Sequence, residues 1–328
     1  MNHTLKGKTI LVTGGAGLIG SHIVDQLIDE GAGEIRVLDN LVRGTDANLA
    51  SARRRYPLRF IRGDVRDRST VEQAVAGCDG VFHQAAIRIT LCAEQPRECL
   101  DVLVMGTFNV LHAAMAAGVK KVVYASSASV YGGAESFPTR EVHHPYGNRT
   151  LYGAAKLMNE GMARSFYDMY GLRSVGLRYF NVYGPRMDLT GAYTEVFIRW
   201  LDCIEQGRAP LIHGDGSTSM DFIFVEDVAR ANILAMKSDR DNDVYNVASG
   251  TETTLLELLA AMQRVTGTSP LAPEHQPARK VNPVPRRLGD PSRARQELGF
   301  STKVSLQEGL SRLVAWRRQQ NRTLEEVA

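Results

Sequence analysis

Cysteine is scarce in this chain and forms no pattern. Cys78, Cys92, Cys99 and Cys203 make neither a CxxC pair nor a metal-binding spacing. They are expected to be reduced, mostly buried thiols, and no metal site is expected. No uninterrupted apolar run reaches the ~18 residues of a bilayer-spanning helix. The apolar stretch near the start, TILVT, runs straight into glycines, which reads as a strand and not as a signal peptide. Excess charge is small: a formal +3 is too little to argue for nucleic acid and suits an anionic small molecule. Low-complexity tracts and repeats with a period of roughly 20–50 residues are missing, which excludes solenoids and arrays. A cytoplasmic enzyme with no nucleic-acid or membrane partner fits all of this.

What is present is an alternation. TILVT (9–13), IRVLD (35–39), LRFI (58–61), GVFH (80–83), KVVYAS (121–126) and SVGLR (174–178) read as strands. Helix-like stretches lie between them, notably 18–30, 98–117 and 151–170. Apolar strands separated by helices predict an α/β fold, a doubly wound parallel sheet covered on both faces. After residue 180 proline and glycine become frequent, and a Pro-rich loop occupies 269–287. The expected division is a Rossmann-type domain over 1–180, with 221–248 returning to it, and a smaller C-terminal α/β substrate domain over 181–220 and 249–328.

In TILVTGGAGLIGSHIVDQL, Gly14, Gly17 and Gly20 are spaced GxxGxxG between a strand and a helix. Such glycines let the backbone approach a pyrophosphate, which then meets the N–H groups of the helix start. Alone the motif is weak, and the bland alternative is a tight turn without a ligand. Here Asp39 ends the next strand, 19 residues past Gly20. A carboxylate there accepts hydrogen bonds from ribose hydroxyls and repels a 2′-phosphate, which favours NAD over NADP. Nearby Arg43 argues in the other direction. Asp64, in GDVRD, is a candidate partner for the adenine amino group. HQAAI (83–87) supplies small residues for backbone contact, with His83 itself more plausible as a core histidine than as a catalyst.

LYGAAK places Tyr152 and Lys156 four residues apart, on one helix face. A phenol is a weak base at neutral pH, and a neighbouring ammonium and a cationic nicotinamide would favour its phenolate. Ser127, at the end of a strand, can hydrogen-bond the same reacting oxygen. This is a set for removing a hydroxyl proton as hydride leaves the carbon below. The bland alternative is a helix face with a snorkelling lysine.

Taken together, TGGAGLIGSH, GDVRD, HQAA, GTFNVLHAA, SSASVYG, YGAAK, RYFNVYGPR and DFIFVEDVARA resemble the NAD-dependent sugar epimerase/dehydratase family of extended short-chain dehydrogenase/reductases, over nearly the whole chain. The resemblance implies a Rossmann domain holding NAD and a C-terminal domain holding a nucleotide diphosphate sugar. It assigns oxidation at sugar C4 to Ser127, Tyr152 and Lys156, stabilisation of the active-site helix to Asn109, and contact with the diphosphate or sugar to Asn181. The expected cofactor contacts are Gly14, Gly17, Leu18, Ile19, Gly20, Asp39, Asn40, Asp64, Val65, Gln84, Ala85, Ala86, Tyr152, Lys156 and Tyr179. The expected substrate contacts are Arg88, Ser127, Ser129, Asn181, Arg186 and Arg287.

Dehydratases and decarboxylases of this family carry a Glu immediately before VYG, and some dehydratases an Asp before that. Here Ala128 and Ser129 stand in those places, and neither is a carboxylic acid. What remains is oxidation and re-reduction at one carbon: 4-epimerisation of a sugar carried, by resemblance, on UDP, with hexose, N-acetylhexosamine and hexuronate forms all open. A dehydratase or decarboxylase using a different acid and a non-catalytic NAD sensor are the rival readings. Relatives often have Arg where this chain has Met220, and Arg186, Arg286 or Arg287 are the candidates to replace it at the diphosphate. Stretches 98–117 and 151–170 correspond to family helices that pair in a homodimer.

Overall fold

A computed structural model describes residues 3–189, 196–278 and 284–327. The Pro-rich segment therefore falls partly outside the described residues. The strands are β1 (Thr9–Thr13), β2 (Glu34–Asp39), β3 (Arg59–Arg62), β4 (Gly80–His83), β5 (Lys121–Ser127), β6 (Ser174–Tyr179), β7 (Asn181–Tyr183), β8 (Leu211–His213), β9 (Ser219–Phe224), β10 (Asp243–Val247), β11 (Glu252–Thr254), β12 (Glu274–Gln276) and β13 (Arg286–Arg287). Seven of them make one parallel sheet in the order β10-β6-β5-β4-β1-β2-β3. Strand order reverses at β1, which pairs with both β2 and β4, so a crevice opens beyond the C-terminal ends of these strands.

Successive residues of each strand serve opposite faces. Ile10 and Val12 pack with Ile23, Val24 and Leu27 of the helix Leu18–Asp29 and with Val228 and Ile233 of the helix Val225–Lys237. Leu11 joins Val81, Leu111 and Phe166 on the other face, under the helices Gly106–Ala116 and Leu151–Tyr170. The edge strand β3 exposes Arg59 and Arg62, charges that discourage pairing with another chain. A second, mixed sheet centres on β9, with β7 and β13 parallel to it and β11 antiparallel. Its core contains Trp200, Phe224, Leu258, Met262 and Leu313. β12 and β8 form a separate parallel pair. The chain is thus α/β, a Rossmann-like parallel sheet with a smaller C-terminal layer, as its sequence predicts. β10 lies in the large sheet, whereas β9 belongs to the small one and the chain re-enters the main layer from Val225.

One expectation needs correction. Cys92 and Cys99 are joined as a disulfide with Cα atoms 4.7 Å apart, while Cys78 and Cys203 are free. The cause is a break at Gln95, which precedes Pro96 and separates the helices Ile89–Glu94 and Pro96–Leu100. The continuous helical stretch Pro96–Ala116 is long and apolar enough to cross a membrane by composition, but more than half of its apolar window is buried inside the protein. It behaves as a core helix, with Val102, Leu103, Val110 and Leu111 packed into the second face of the sheet.

Candidate active site

The loop after β1 is shaped by backbone. Gly14 has φ +65°, and a Cβ there would lie 2.7 Å from the Ala85 nitrogen. Among the described residues no side chain caps the helix Leu18–Asp29, whose N-cap is Gly17, so its first N–H groups are left for a ligand. Leu18, Ile19 and Gly20 form that first turn. At the end of β2, Asp39 accepts hydrogen bonds from Ala16 N at 2.9 Å and Leu41 N at 2.8 Å. Burial raises its pKa, and those two backbone donors oppose the shift. Beside it, Asn40 donates to Asp64 at 2.8 Å, and Arg66 grips Asp64 with two nitrogens. The Arg66 hydrogen bond is the main reason that Asp64 is held at about 2. Val65 is buried next to it. A glycine cradle, an open helix start and a buried carboxylate at the ribose end fit the adenosine diphosphate half of NAD.

The segment after β4 forms the far wall. His83 is a core histidine, bracketed by the hydroxyls of Thr13 at 2.8 Å and Thr107 at 2.9 Å, and burial pushes it down to about 3. Gln84 and Tyr179 meet at Asn232: the Tyr179 hydroxyl donates within 3.0 Å of both the Gln84 and Asn232 oxygens. Ala85 N donates to Thr13 Oγ1, and Ala86 is half-buried. Asn109 donates to the Val65 and Arg66 carbonyls and ties the helix Gly106–Ala116 to the adenine side.

Ser127 ends β5 and accepts a hydrogen bond from Ser129 N at 3.1 Å. Thr150 caps the next long helix through Gly153 N at 3.1 Å. Gly153 lies so close to the Ser129 carbonyl that any side chain would collide with it. This tight approach brings the first turn of the helix, which carries Tyr152, up to the Ser129 backbone. Lys156, one turn on, is buried. Its ammonium donates to the Ala125 carbonyl at 2.7 Å and sits 5.8 Å from the centre of the Tyr152 ring. Burial pushes Lys156 down to about 8, against the pull of Glu160. Tyr152 is within electrostatic reach of Tyr179 and of Arg287.

The arginines expected at the diphosphate have different fates. Arg186, in a left-handed backbone with φ 71°, donates to Asp25 at 2.6 Å on the cofactor helix. Arg286 makes two 2.7 Å bonds to Glu252. Arg287 has a buried Nη2 with no hydrogen bond among the described residues, and burial lowers its pKa to about 10. It sits opposite Met220 in the β13–β9 register. Arg88 lies at the start of the helix Ile89–Glu94, 3.7 Å from Asp188, to which Arg43 also comes within 3.9 Å. Asn181 donates to the Asp221 carbonyl at 2.9 Å. Sequence reasoning missed Asp221 itself, whose fully buried carboxylate accepts from Ser249 N, Ser249 Oγ, Gly250 N and Gly289 N. It also missed Asn232, which lies 148 residues from its partner Gln84 and leaves no local signal.

A model of the NAD dependent epimerase/dehydratase family matches residues 10–248. A UDP-glucose 4-epimerase of Mycolicibacterium smegmatis is 36% identical over 93% of this chain and 96% of its own. A solved UDP-N-acetylglucosamine 4-epimerase of Methanobrevibacter ruminantium, in complex with UDP-N-acetylmuramic acid, superposes with a TM-score of 0.90 at 33% identity, covering 96% of this chain and 99% of its own. The Thermotoga maritima UDP-glucose 4-epimerase with UDP-glucose gives 0.88 at 35% identity, covering 95% and 99%. Other relatives, at 31% identity, are named as a decarboxylase and as a 4,6-dehydratase, and NAD is bound in solved relatives of both the epimerase and dehydratase kinds. With the glycine cradle, Asp39 and the Ser127, Tyr152 and Lys156 set already in view, these matches lead to one statement: the chain belongs to the NAD-dependent epimerase/dehydratase family of enzymes, and NAD is its cofactor.

Proposed function

We propose that this enzyme epimerises a nucleotide diphosphate sugar at C4, with a UDP-sugar as the first choice of substrate. The observation that carries the reading is the pair of short, buried residues beside Ser127: Ala128 and Ser129 offer no carboxylic acid to expel a leaving group. Bound NAD supplies the acceptor, and then the donor, of one hydride. The chain's own groups manage the oxygen and its proton. Tyr152 takes the proton of the C4 hydroxyl, Lys156 stabilises the phenolate, and Ser127 hydrogen-bonds the same oxygen. The 4-keto sugar then turns, and Tyr152 returns the proton with the other face presented. Arg287 is the diphosphate ligand of this reading, because its buried Nη2 has no partner among the described residues and Met220 beside it carries no charge; Arg186, whose Nη1 is likewise unpartnered among them, already holds Asp25. Ser129, Asn181, Arg88 and Arg186 complete the proposed substrate surroundings, Arg186 from its place on Asp25.

In this reading residues 1–180 with 221–248 hold NAD, and 181–220 with 249–328 hold the nucleotide sugar. The enzyme works in the cytoplasm as a homodimer. Support for the dimer is an apolar groove of about 420 Å³ between the helices Gly106–Ala116 and Leu151–Tyr170, lined by Phe108, His112, Met115, Met162, Phe166 and Met169. The test is incubation with UDP-, dTDP-, GDP- and CDP-sugars, read by NMR at C4. Inversion without net redox supports epimerisation, whereas loss of water or carbon dioxide overturns it. Tyr152→Phe is expected to abolish turnover and leave NAD bound. Unchanged turnover in that variant would remove the phenol from the mechanism.

A further inference from the structure

A buried ion pair that the proposed chemistry does not use stands directly behind the catalytic residues. Glu160 lies four residues after Lys156 and eight after Tyr152, on the same helix face. One of its oxygens accepts from Ser126 Oγ at 2.5 Å and from Arg178 Nε at 2.8 Å, and the other accepts from Arg178 Nη2 at 2.6 Å. Ser126 is the residue before Ser127, and Arg178 is its register partner on β6. The second face of Arg178 donates to the Tyr131 hydroxyl at 2.8 Å and to the Glu141 carbonyl at 2.9 Å, and Tyr131 donates to Asn246. Lys156 and Glu160 are thus successive struts from one helix to Ala125 and Ser126 of β5.

A buried ion pair is a poor source of stability, because desolvation of both charges offsets their attraction and apolar groups of similar volume often serve as well. What it supplies is geometry. We propose that Glu160 is a positioning residue, which with Arg178 sets the separation of Ser127 from Tyr152 and Lys156; the proposal rests on the epimerase reading above. Glu160 also acts by charge. Lys156 faces Tyr152 and Glu160 on its own helix, His83 on β4 and the Ala125 carbonyl on β5. Of these, Glu160 carries the negative charge that opposes the effect of burial on the ammonium. Around Glu160 itself stand Arg178 on β6, Tyr124 on β5, Arg164 on the same helix and Asp243 on β10.

Glu160→Gln removes that negative charge and leaves Arg178 unbalanced, so the Lys156 midpoint moves down and the ammonium is lost at lower pH. The experiment measures kcat, KM and the alkaline limb of the rate profile in the NAD-loaded enzyme, with the Lys156 titration followed by NMR. Glu160→Gln should keep its NAD and a KM within about twofold of wild type. Its kcat should fall on the order of tenfold to a hundredfold, and the alkaline limb and Lys156 midpoint should move about one pH unit lower. Glu160→Asp, which keeps the charge, should hold the limb at its wild-type position and recover part of kcat. Wild-type kcat and an unmoved limb in Glu160→Gln, whatever its melting temperature, overturn the proposal. If that variant does not fold, Glu160→Met with Arg178→Met removes both charges at similar volume, and the same two readouts decide. A wild-type enzyme that turns over no nucleotide sugar sinks the epimerase reading instead, while the Lys156 titration still judges Glu160.

Discussion

At the glycine loop backbone packs against backbone, whereas beside β9 a buried side chain gathers distant loops. Gly14 touches the main chain at Ala85, and Asp39 accepts from the main chain at Ala16 and Leu41. Across the molecule, one carboxylate at Asp221 holds Ser249, Gly250 and Gly289 together. The first arrangement follows from a short run of sequence and suits a cofactor that every member of the family shares. The second rests on a few polar contacts between segments far apart in the chain. Its loops can vary while the sheet stays intact, which suits the part of an enzyme where relatives differ in substrate and outcome.

The sharpest way to break this contrast is at Gly14. Gly14→Val combines a left-handed backbone with overlap on Ala85, neither of which can relax without moving a strand end. NAD affinity should fall by roughly a hundredfold, about 3 kcal/mol, measured by calorimetry and by the NAD retained on purification. Affinity near wild type would show that the loop is not set by that contact. Asp221→Asn is the counterpart on the other side. It turns one acceptor oxygen into a donor facing two N–H groups, at a cost of about 2–3 kcal/mol of stability, while NAD affinity stays within about twofold. The pH dependence has a definite sign. Burial raises Asp221 from 3.8 to about 6, against its hydrogen bonds. The folded chain therefore binds this proton more tightly than the unfolded one. The stabilisation is fully present below about pH 4 and is lost as pH rises through 6. Chemical denaturation across that range should show the decline in the wild type and its absence in Asp221→Asn.

The same contrast explains what could be read from the sequence. Gly14, Gly17, Gly20, Asp39, Tyr152 and Lys156 could be singled out because each carries a local spacing, the glycines and Asp39 within one strand–helix–strand run and the other two within one helix. The six strands of the first half are legible because burial on both faces leaves continuous apolar runs. Asp221 and Asn232 are not, since their partners lie on other elements and nothing local marks them. The disulfide escaped for a geometric reason. Seven residues along an unbroken helix separate two side chains by about 10 Å, and only the break at Gln95 brings Cys92 and Cys99 together. Glu160 is not singled out by the sequence either: it stands four residues after Lys156, but nothing local marks its partner Arg178 on β6.

Arg286 and Arg287 carry the comparison down to two adjacent residues. Both belong to β13, and the alternation of a strand sends their side chains to opposite faces. Arg287 brings a buried nitrogen with no bond among the described residues within electrostatic reach of Tyr152, so Arg287→Ala should raise KM for the nucleotide sugar on the order of tenfold to a hundredfold, the worth of a charge-assisted contact to phosphate. Arg287→Lys should recover only part of this, because an ammonium replaces a planar fork. Arg286 is exposed, already spans Glu252 with two hydrogen bonds and lies over the Phe137 ring. Arg286→Ala should leave KM within about a factor of two, since solvent screens the pair that is lost. Steady-state kinetics on the two alanine variants reads the difference directly. Equal losses would place the diphosphate between both side chains and erase the distinction between the faces of this strand.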